Sequence, residues 1–496
     1  LTEHSHDNPR LTPWLALTPV LVLVIMLGCS AYLFGADASY GPNQIALVLC
    51  TGVAAIVGSY TGLRWSELQE GIIDGIGLGL GPTLILLAVG MLIGTWILAG
   101  TVPTLIYYGV QILNPSLFYA ASAVICAIVA LSTGSSWTVA GTLGIGLMGI
   151  AATFELSPAI TGGAIVSGAY FGDKLSPMSD TTNLAAASTN VDLFEHIRHM
   201  LWTTVPGFAI ALLIFAMMGS AGGATPDKIL SLQQGLAREF NIGLHLLLPM
   251  LLMLYLIYRR FPAYPAIIIS AVAGGIFALL FQPGRAIALA GDADLATGFA
   301  LTKGIWISLT DGYISNSGNE DLDKLLSKGG MSSMLNTVWL IICGLGFGGI
   351  LERTGIIRLG LALALRGVRS TGSLVMRTVV TCFSANILTA DQFLSVALPG
   401  RMYRDAYIAR GLSPLNLSRT LEDSATLTSA LIPWNSCGAY MAATLGVATF
   451  SYAPFAFFNL ACPLLAMLYG YLNFAQRPLE AQYQSGTTSS STPVEA

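Results

Sequence analysis

FGDKLSPMSDTT, residues 171–182, places Asp173, Lys174 and Asp180 among small residues, hydroxyls and a proline. Apolar, Gly/Ala-rich sequence flanks it on both sides. An ionisable group at bilayer depth costs about 2.5 to 3.5 kcal/mol on insertion scales, so such residues mark an ion or substrate path. Pro177 predicts a helix interruption, and broken helices expose backbone carbonyls that coordinate cations. The chemistry of the chain is expected here.

The surrounding sequence fixes the class. Hydrophobic residues make up 54% and charged residues 10% of the 496, and the mean hydropathy is +0.70. A soluble domain carries about 25% charge. Apolar runs long enough to span a bilayer recur, among them 11–34, 45–63, 82–99 and 331–351. The reading is an all-α polytopic membrane protein. The first run is too long for a signal-peptide core and predicts a retained helix. The net charge of -4 decides little, because the placement of Lys and Arg sets topology. No basic patch points to nucleic acid. The seven cysteines lie in or beside apolar segments and read as small core residues. His196 and His199, with Glu195 and Arg198 beside them, read as a solvated boundary.

Sliding the chain on itself exposes a repeat. At one offset of 256, Cys126 falls on Cys382, Thr133 on Thr389 and Gly144 on Gly400. Leu156-Ser157-Pro158 falls on Leu412-Ser413-Pro414, and Pro177 on Pro433. Basic clusters at Arg259-Arg260, Arg353, Arg358, Arg366, Arg369, Arg401, Arg404 and Arg410 predict cytoplasmic ends. The acid-rich loop 311–323 then faces outward. The run near 82–100 therefore crosses from inside to outside, and its counterpart 331–351 crosses the other way. Matching segments of opposite sense predict two inverted-topology repeats with broken or re-entrant helices. The expected organisation is an N-terminal helix over 1–42, a first repeat over 43–220, connecting helices and the acidic loop over 221–330, a second repeat over 331–475, and a disordered tail over 476–496.

Polar breaks in both halves supply candidate ligands. Ser132-Thr133-Gly134-Ser135-Ser136-Trp137-Thr138 interrupts an apolar run. Its hydroxyls and loosened carbonyls are hard oxygen ligands of the kind an alkali cation needs, or they bond back to their own helix. Asp391 stands opposite Ser135 and is either a shared site charge or an N-cap. Asp173 and Asp180 are seven apart, but a break at Pro177 removes their common face. Lys174 is placed to neutralise one of them, and Ser176, Ser179, Thr181 and Thr182 add neutral oxygens. In the second half, Arg419 and Asp423 are four apart and predict a helical ion pair, leaving Glu422 or Asp423 as a proton carrier. Asn435 and Ser436 align with Ser179 and Asp180 around Pro433. Desolvation disfavours the charged form of a buried carboxylate, so a cation entering such a site expels a proton, and a proton expels the cation. There is no GxxxxGK[ST] loop for a hydrolytic motor.

These residues resemble the NhaC family of sodium/proton antiporters, within the ion-transporter superfamily. The likeness rests on Gly168-Ala169-Tyr170 with FGDKLSPMSDTT, and on TGSSWT followed by Gly141-Thr142. In the second half it rests on LEDSAT and IPWNSCGAYM. Where the family runs closer to TGTSWGT, Ser135 and Thr138 depart conservatively. The resemblance implies a multi-pass exchanger of the bacterial inner membrane that expels Na+ (and Li+) and imports H+, with no cofactor. It equally accommodates exchange of malate and protons for lactate and sodium, with Lys174, Arg419 or a half-helix N-terminus holding the carboxylate.

The expectation is a secondary active carrier, not an enzyme, embedded in lipid and assembled as a homodimer. Charge is assigned to Asp173, Asp180, Glu422, Asp423 and Asp391. Thr133, Ser135, Ser136, Thr181, Asn435 and Ser436 supply oxygens for Na+, and Lys174 and Arg419 compensate charge. A channel would need a continuous pore, and protonatable acids in both halves favour the carrier.

Overall fold

Helix after helix, each apolar enough to sit in lipid, follows from the runs above. The computed structural model describes residues 10–219, 226–292, 294–365 and 367–479. Arg366, the 220–225 boundary of the first repeat, and the tail from 480 onward lie outside the described residues. Among the described residues, nine helices are long and apolar enough to cross a membrane. The number is eleven if each of two bent pairs counts as one span: Asp227–Glu239 with Leu244–Tyr258, at 85°, and Thr449–Phe455 with Phe457–Leu472, at 57°. Pro13–Phe34, Pro42–Tyr60, Leu80–Leu98 and Ser332–Arg353 cover the four runs read from sequence.

Local sequence explains the breaks. Helix Phe118–Thr133 stops at Gly134, whose φ of +67° is left-handed. Ser135 then caps the next helix by accepting a hydrogen bond from the Thr138 N–H at 3.2 Å. In the second half, Thr371–Thr389 stops at left-handed Ala390. Asp391 caps Gln392–Ile408 by accepting from the Leu394 N–H at 2.8 Å. Helix Pro158–Leu175 opens on a Ser157 cap and a proline, and the chain restarts with Ser179 capping Asp180–Thr189. Its counterpart opens on a Ser413 cap and Pro414, and restarts with Asn435 capping Ser436–Leu445. Asn190 and Gly446, both left-handed, end the two restarted helices. Every one of these cap pairs is separated by 256 residues.

The halves also touch reciprocally. Asp180–Thr189 of the first packs on Gln392–Ile408 of the second, and Ser436–Leu445 packs on the 136–153 stretch of the first. The segments themselves differ at one point in each half, where a π-turn occupies Ala140–Gly144 and Glu422–Thr426. These positions do not correspond, so each half carries its own distortion.

Helices Phe118–Thr133 and Pro158–Leu175 are closely packed because glycines line the seam. A Cβ on Gly168 would lie 2.1 Å from the Ala123 carbonyl oxygen, and one on Gly172 2.3 Å from that of Ala127. In lipid, small residues of this kind let backbones approach where no hydrophobic drive exists. Gly172→Val should therefore fail to give a monodisperse folded protein in detergent by size exclusion. A symmetric wild-type peak would contradict this packing. Outside the apolar helices, Asp323 is satisfied within the acidic loop itself. Asp323 accepts from the Ser317 N–H at 2.8 Å and from the hydroxyls of Ser315 and Ser317 at 2.7 Å, and these donors hold its carboxyl below the usual range.

Candidate functional site

Helix Pro158–Leu175 ends one residue short of Ser176-Pro177, so its last turn delivers Asp173 and Lys174 to the protein interior. The Thr182 hydroxyl donates to the Lys174 carbonyl at 3.0 Å, tying the two sides of the break together. The Lys174 side chain is fully buried and forms an ion pair with Asp423, itself fully buried, from the other half. The Thr203 hydroxyl donates to the same Asp423 oxygen, Oδ1, at 2.8 Å. Asp423 Oδ2 has no partner. Neither carboxylate oxygen of Glu422 has one either, although Glu422 is fully buried. Asp173 accepts from the Ser136 N–H at 3.0 Å, and Glu422 lies within electrostatic reach of both Asp173 and Lys174.

Asp173, Lys174, Ser136, Glu422 and Asp423 thus converge from both halves. Orphaned buried carboxylate oxygens are rare and expensive. Here they sit beside Thr426 Oγ1, which is also buried without a partner, one turn along from Glu422. A proton or a cation would satisfy such a cluster. The π-turn beginning at Glu422 is what presents adjacent acids inward, a distortion common at functional sites.

Several expectations change. Lys174 neutralises neither Asp173 nor Asp180 by direct contact, because its ammonium crosses to Asp423. The expected Arg419–Asp423 helical pair does not form. The π-turn takes Asp423 off the α-helical register, and Arg419 donates through Nη1 to the Ala475 carbonyl at 2.7 Å. Asp180 is exposed at the start of its helix. Asp391 is buried, but its carboxylate caps a helix. Thr133 bonds back to the Val129 carbonyl at 2.9 Å. Ser135 serves as the cap described above, and Thr181 exchanges a hydrogen bond with Ser179 at 3.0 Å. Asn435 caps its helix through the Cys437 N–H at 3.0 Å and donates to Asn386 at 3.1 Å. The Ser436 N–H donates to the Ala390 carbonyl at 2.9 Å, joining the two second-half breaks.

His196 and His199 are buried, not solvated. His199 pairs with Asn416 at 3.2 Å through its ring nitrogen, while neither ring nitrogen of His196 has a partner. They follow Asp192, whose capping carboxylate starts helix Leu193–Met218, and that helix turns both rings toward the second half. Thr203, one residue among many apolar ones on this helix, carries no sequence signal of its contact with Asp423. Only its spacing of four from His199, on a common face, hints at it.

The sequence profile of the Na+/H+ antiporter family matches residues 168–474, a stretch that holds Asp173, Lys174, Glu422 and Asp423. The chain belongs to that family. As a member of the Na+/H+ antiporter family it is 40% identical over 430 residues to the Na+/H+ antiporter NhaC of Alkalihalophilus pseudofirmus, covering 86% of this chain and 90% of that one. It is 36% identical over 475 residues to an uncharacterized Na+/H+ antiporter of Haemophilus influenzae, covering 94% and 97%. A malate-2H+/Na+-lactate antiporter of Bacillus subtilis is 38% identical over 433 residues, covering 87% and 89%. The Na+/H+ antiporter family match begins just before FGDKLSPMSDTT, and Ser136, which anchors Asp173, lies upstream of it.

Proposed function

We propose that this chain is a secondary active antiporter of the bacterial inner membrane, exporting Na+ (and Li+) in exchange for protons. The observation that carries the reading is the pair Glu422 and Asp423 around a single buried ammonium, with Asp173 beside Glu422 and three carboxylate oxygens of the pair unpartnered. With Lys174 held by Asp423, Glu422 is the group free to exchange a proton for Na+, and Asp173 is the neighbour that completes the cation's charge. The carrier works by alternating access, with the breaks around 134, 177, 390 and 433 lying toward the midplane. The two halves, 43–220 and 331–475, form an inverted pair, for which the shared offset of caps and the reciprocal packing give support. The protein does no covalent chemistry, and Na+ and H+ are its cargo.

Proton flux in proteoliposomes tests this reading. A lumenal pH dye should respond when Na+ alone is added, and Asp173→Asn should remove the response. Asp180→Asn, at an exposed position, should leave most of it. Loss with Asp180→Asn and retention with Asp173→Asn would place the ion elsewhere.

One observation favours a second reading. Fully buried Arg419 leaves Nε and Nη2 without partners, and these two atoms form the edge that grips a carboxylate bidentately. A sodium-coupled organic-acid exchanger would use that edge, and a flux that needs malate or lactate would establish it.

A further inference from the structure

A cavity of about 490 Å³ opens between the 311–334 segment and the helices of both halves. Asp311 and Lys328 are the charged residues of its wall. Pro433, at the break before helix Ser436–Leu445, also lines it, and part of its wall comes from two elements that carry residues toward the acid cluster. One is helix Ser436–Leu445, which contributes Ala439, Ala443 and Thr444; the other is helix Ile145–Thr153, which contributes Ile145 and Met148.

Both walls lead to the same closure. Four residues before Thr444, on the same helix face, stands Tyr440. Four before Ile145 stands Gly141, in the π-turn, and four before that stands Trp137. The Tyr440 ring stacks on Trp137, with centroids 4.0 Å apart and planes 15° apart, and its hydroxyl donates to the Trp137 carbonyl at 2.9 Å. A Cβ on Gly141 would lie 2.8 Å from the same hydroxyl oxygen, so the absence of a side chain there makes room for the ring. Immediately beyond Trp137 is Ser136, whose N–H holds Asp173. Beyond Tyr440, one turn deeper, is Cys437, which is fully buried. Unpartnered buried polar atoms flank the closure: Thr444 Oγ1 on the cavity side, and Trp137 Nε1 in the stack itself.

We propose that this cavity is the outer vestibule for a hydrated alkali cation, and that the Trp137–Tyr440 stack is the closed floor separating it from Asp173. The inference rests on the cation-exchange reading above. In this structure the path is closed at the stack and open above it. Entry of the cation from outside requires the ring to leave Trp137, which breaks one hydrogen bond and one aromatic contact and exposes Ser136 and Cys437. The left-handed Gly446 at the end of the same helix, and the Pro433 break before it, are the points about which helix Ser436–Leu445 can swing.

Cys437 reports the floor without any engineered label. Purified full-length protein in proteoliposomes, oriented by sided proteolysis, is treated from the outer face with a membrane-impermeant methanethiosulfonate, and modification of each cysteine is read by mass spectrometry. In wild type, Cys437 should be protected. Tyr440→Ala should raise its modification rate at least tenfold, and Tyr440→Phe, which keeps the ring and loses the hydroxyl, should raise it less. Cys126 and Cys382, also fully buried, should stay unmodified and so report an intact fold. Ala443→Cys, at a half-buried position of the cavity wall, should label from outside in the otherwise wild-type protein. If Tyr440→Ala unfolds, exposing Cys126 and Cys382, the Tyr440→Phe and Ala443→Cys results decide. Unlabelled Ala443→Cys, or Cys437 rates unchanged by both Tyr440 variants, would overturn the proposal. Because labelling needs no transport, failure of Na+/H+ exchange would count against the function and not against the vestibule.

Discussion

Glu422→Gln should reduce Na+-driven proton flux to the level of empty liposomes while leaving the protein folded. The substitution keeps the volume and length of the side chain and removes the ionisable carboxyl to which the proposed exchange assigns both proton and cation. Both oxygens of Glu422 are buried without partners, so the native carboxylate contributes no contact whose loss would unfold the chain. The amide brings polar atoms to the same place at comparable cost and cannot become an anion. Melting temperature in detergent should therefore stay close to wild type or rise slightly. Two outcomes would contradict the assignment: flux near wild type, or loss of flux accompanied by collapse of the fold. The first would move the proton to Asp173 or Asp423, and the second would make Glu422 a structural acid.

The opposite pattern is expected for the ion pair. Lys174→Met strands the Asp423 carboxylate, whose remaining donor is the Thr203 hydroxyl at 2.8 Å. Removing one partner of a buried pair costs about 3–5 kcal/mol, because the surviving charge is left uncompensated. The variant should unfold at markedly lower temperature. Adding Asp423→Asn should recover most of the loss, since an uncharged pair of similar shape carries no stranded charge. The double variant should still be impaired in exchange, since the cluster keeps its net charge but loses the ammonium beside Glu422. Equal stability of the single and double variants would show that the Lys174–Asp423 contact does not hold the halves together.

The sequence made the breaks legible because each break is built from local chemistry. Gly134, Pro177 and Pro433 are residues whose backbone preferences stop a helix, and Ser135, Ser179, Asp391 and Asn435 are cap residues by type. Their common offset of 256 could be read directly, and the structure adds that Asn190 and Gly446 end the restarted helices at that same spacing. Membrane class and the main apolar spans followed from hydropathy alone. Pairing was not legible. Lys174 lies next to Asp173 in sequence and reaches Asp423, 249 residues away, because a charge inside lipid is driven to its nearest opposite charge in space. The Arg419–Asp423 spacing of four pointed to a helical contact that the π-turn prevents, and no residue pattern announced that turn. His196 and His199 looked like a solvated boundary because charged residues surround them. Their helix nevertheless buries that face against the second half. The oxygen donors divide along the same line. Those beside the breaks are engaged in caps or local hydrogen bonds, whereas Glu422 and Asp423 keep unpartnered oxygens.

If cation and proton compete for one buried carboxylate cluster, cation binding releases a proton, and that release can be read without a membrane. Purified protein in detergent, in weakly buffered solution with a pH indicator, is mixed with NaCl or LiCl, with choline chloride as the control. Acidification is expected with Na+ and Li+, none with choline, and none with Glu422→Gln. Na+ binding detected by calorimetry without proton release, in wild-type protein across the neutral pH range, would contradict it.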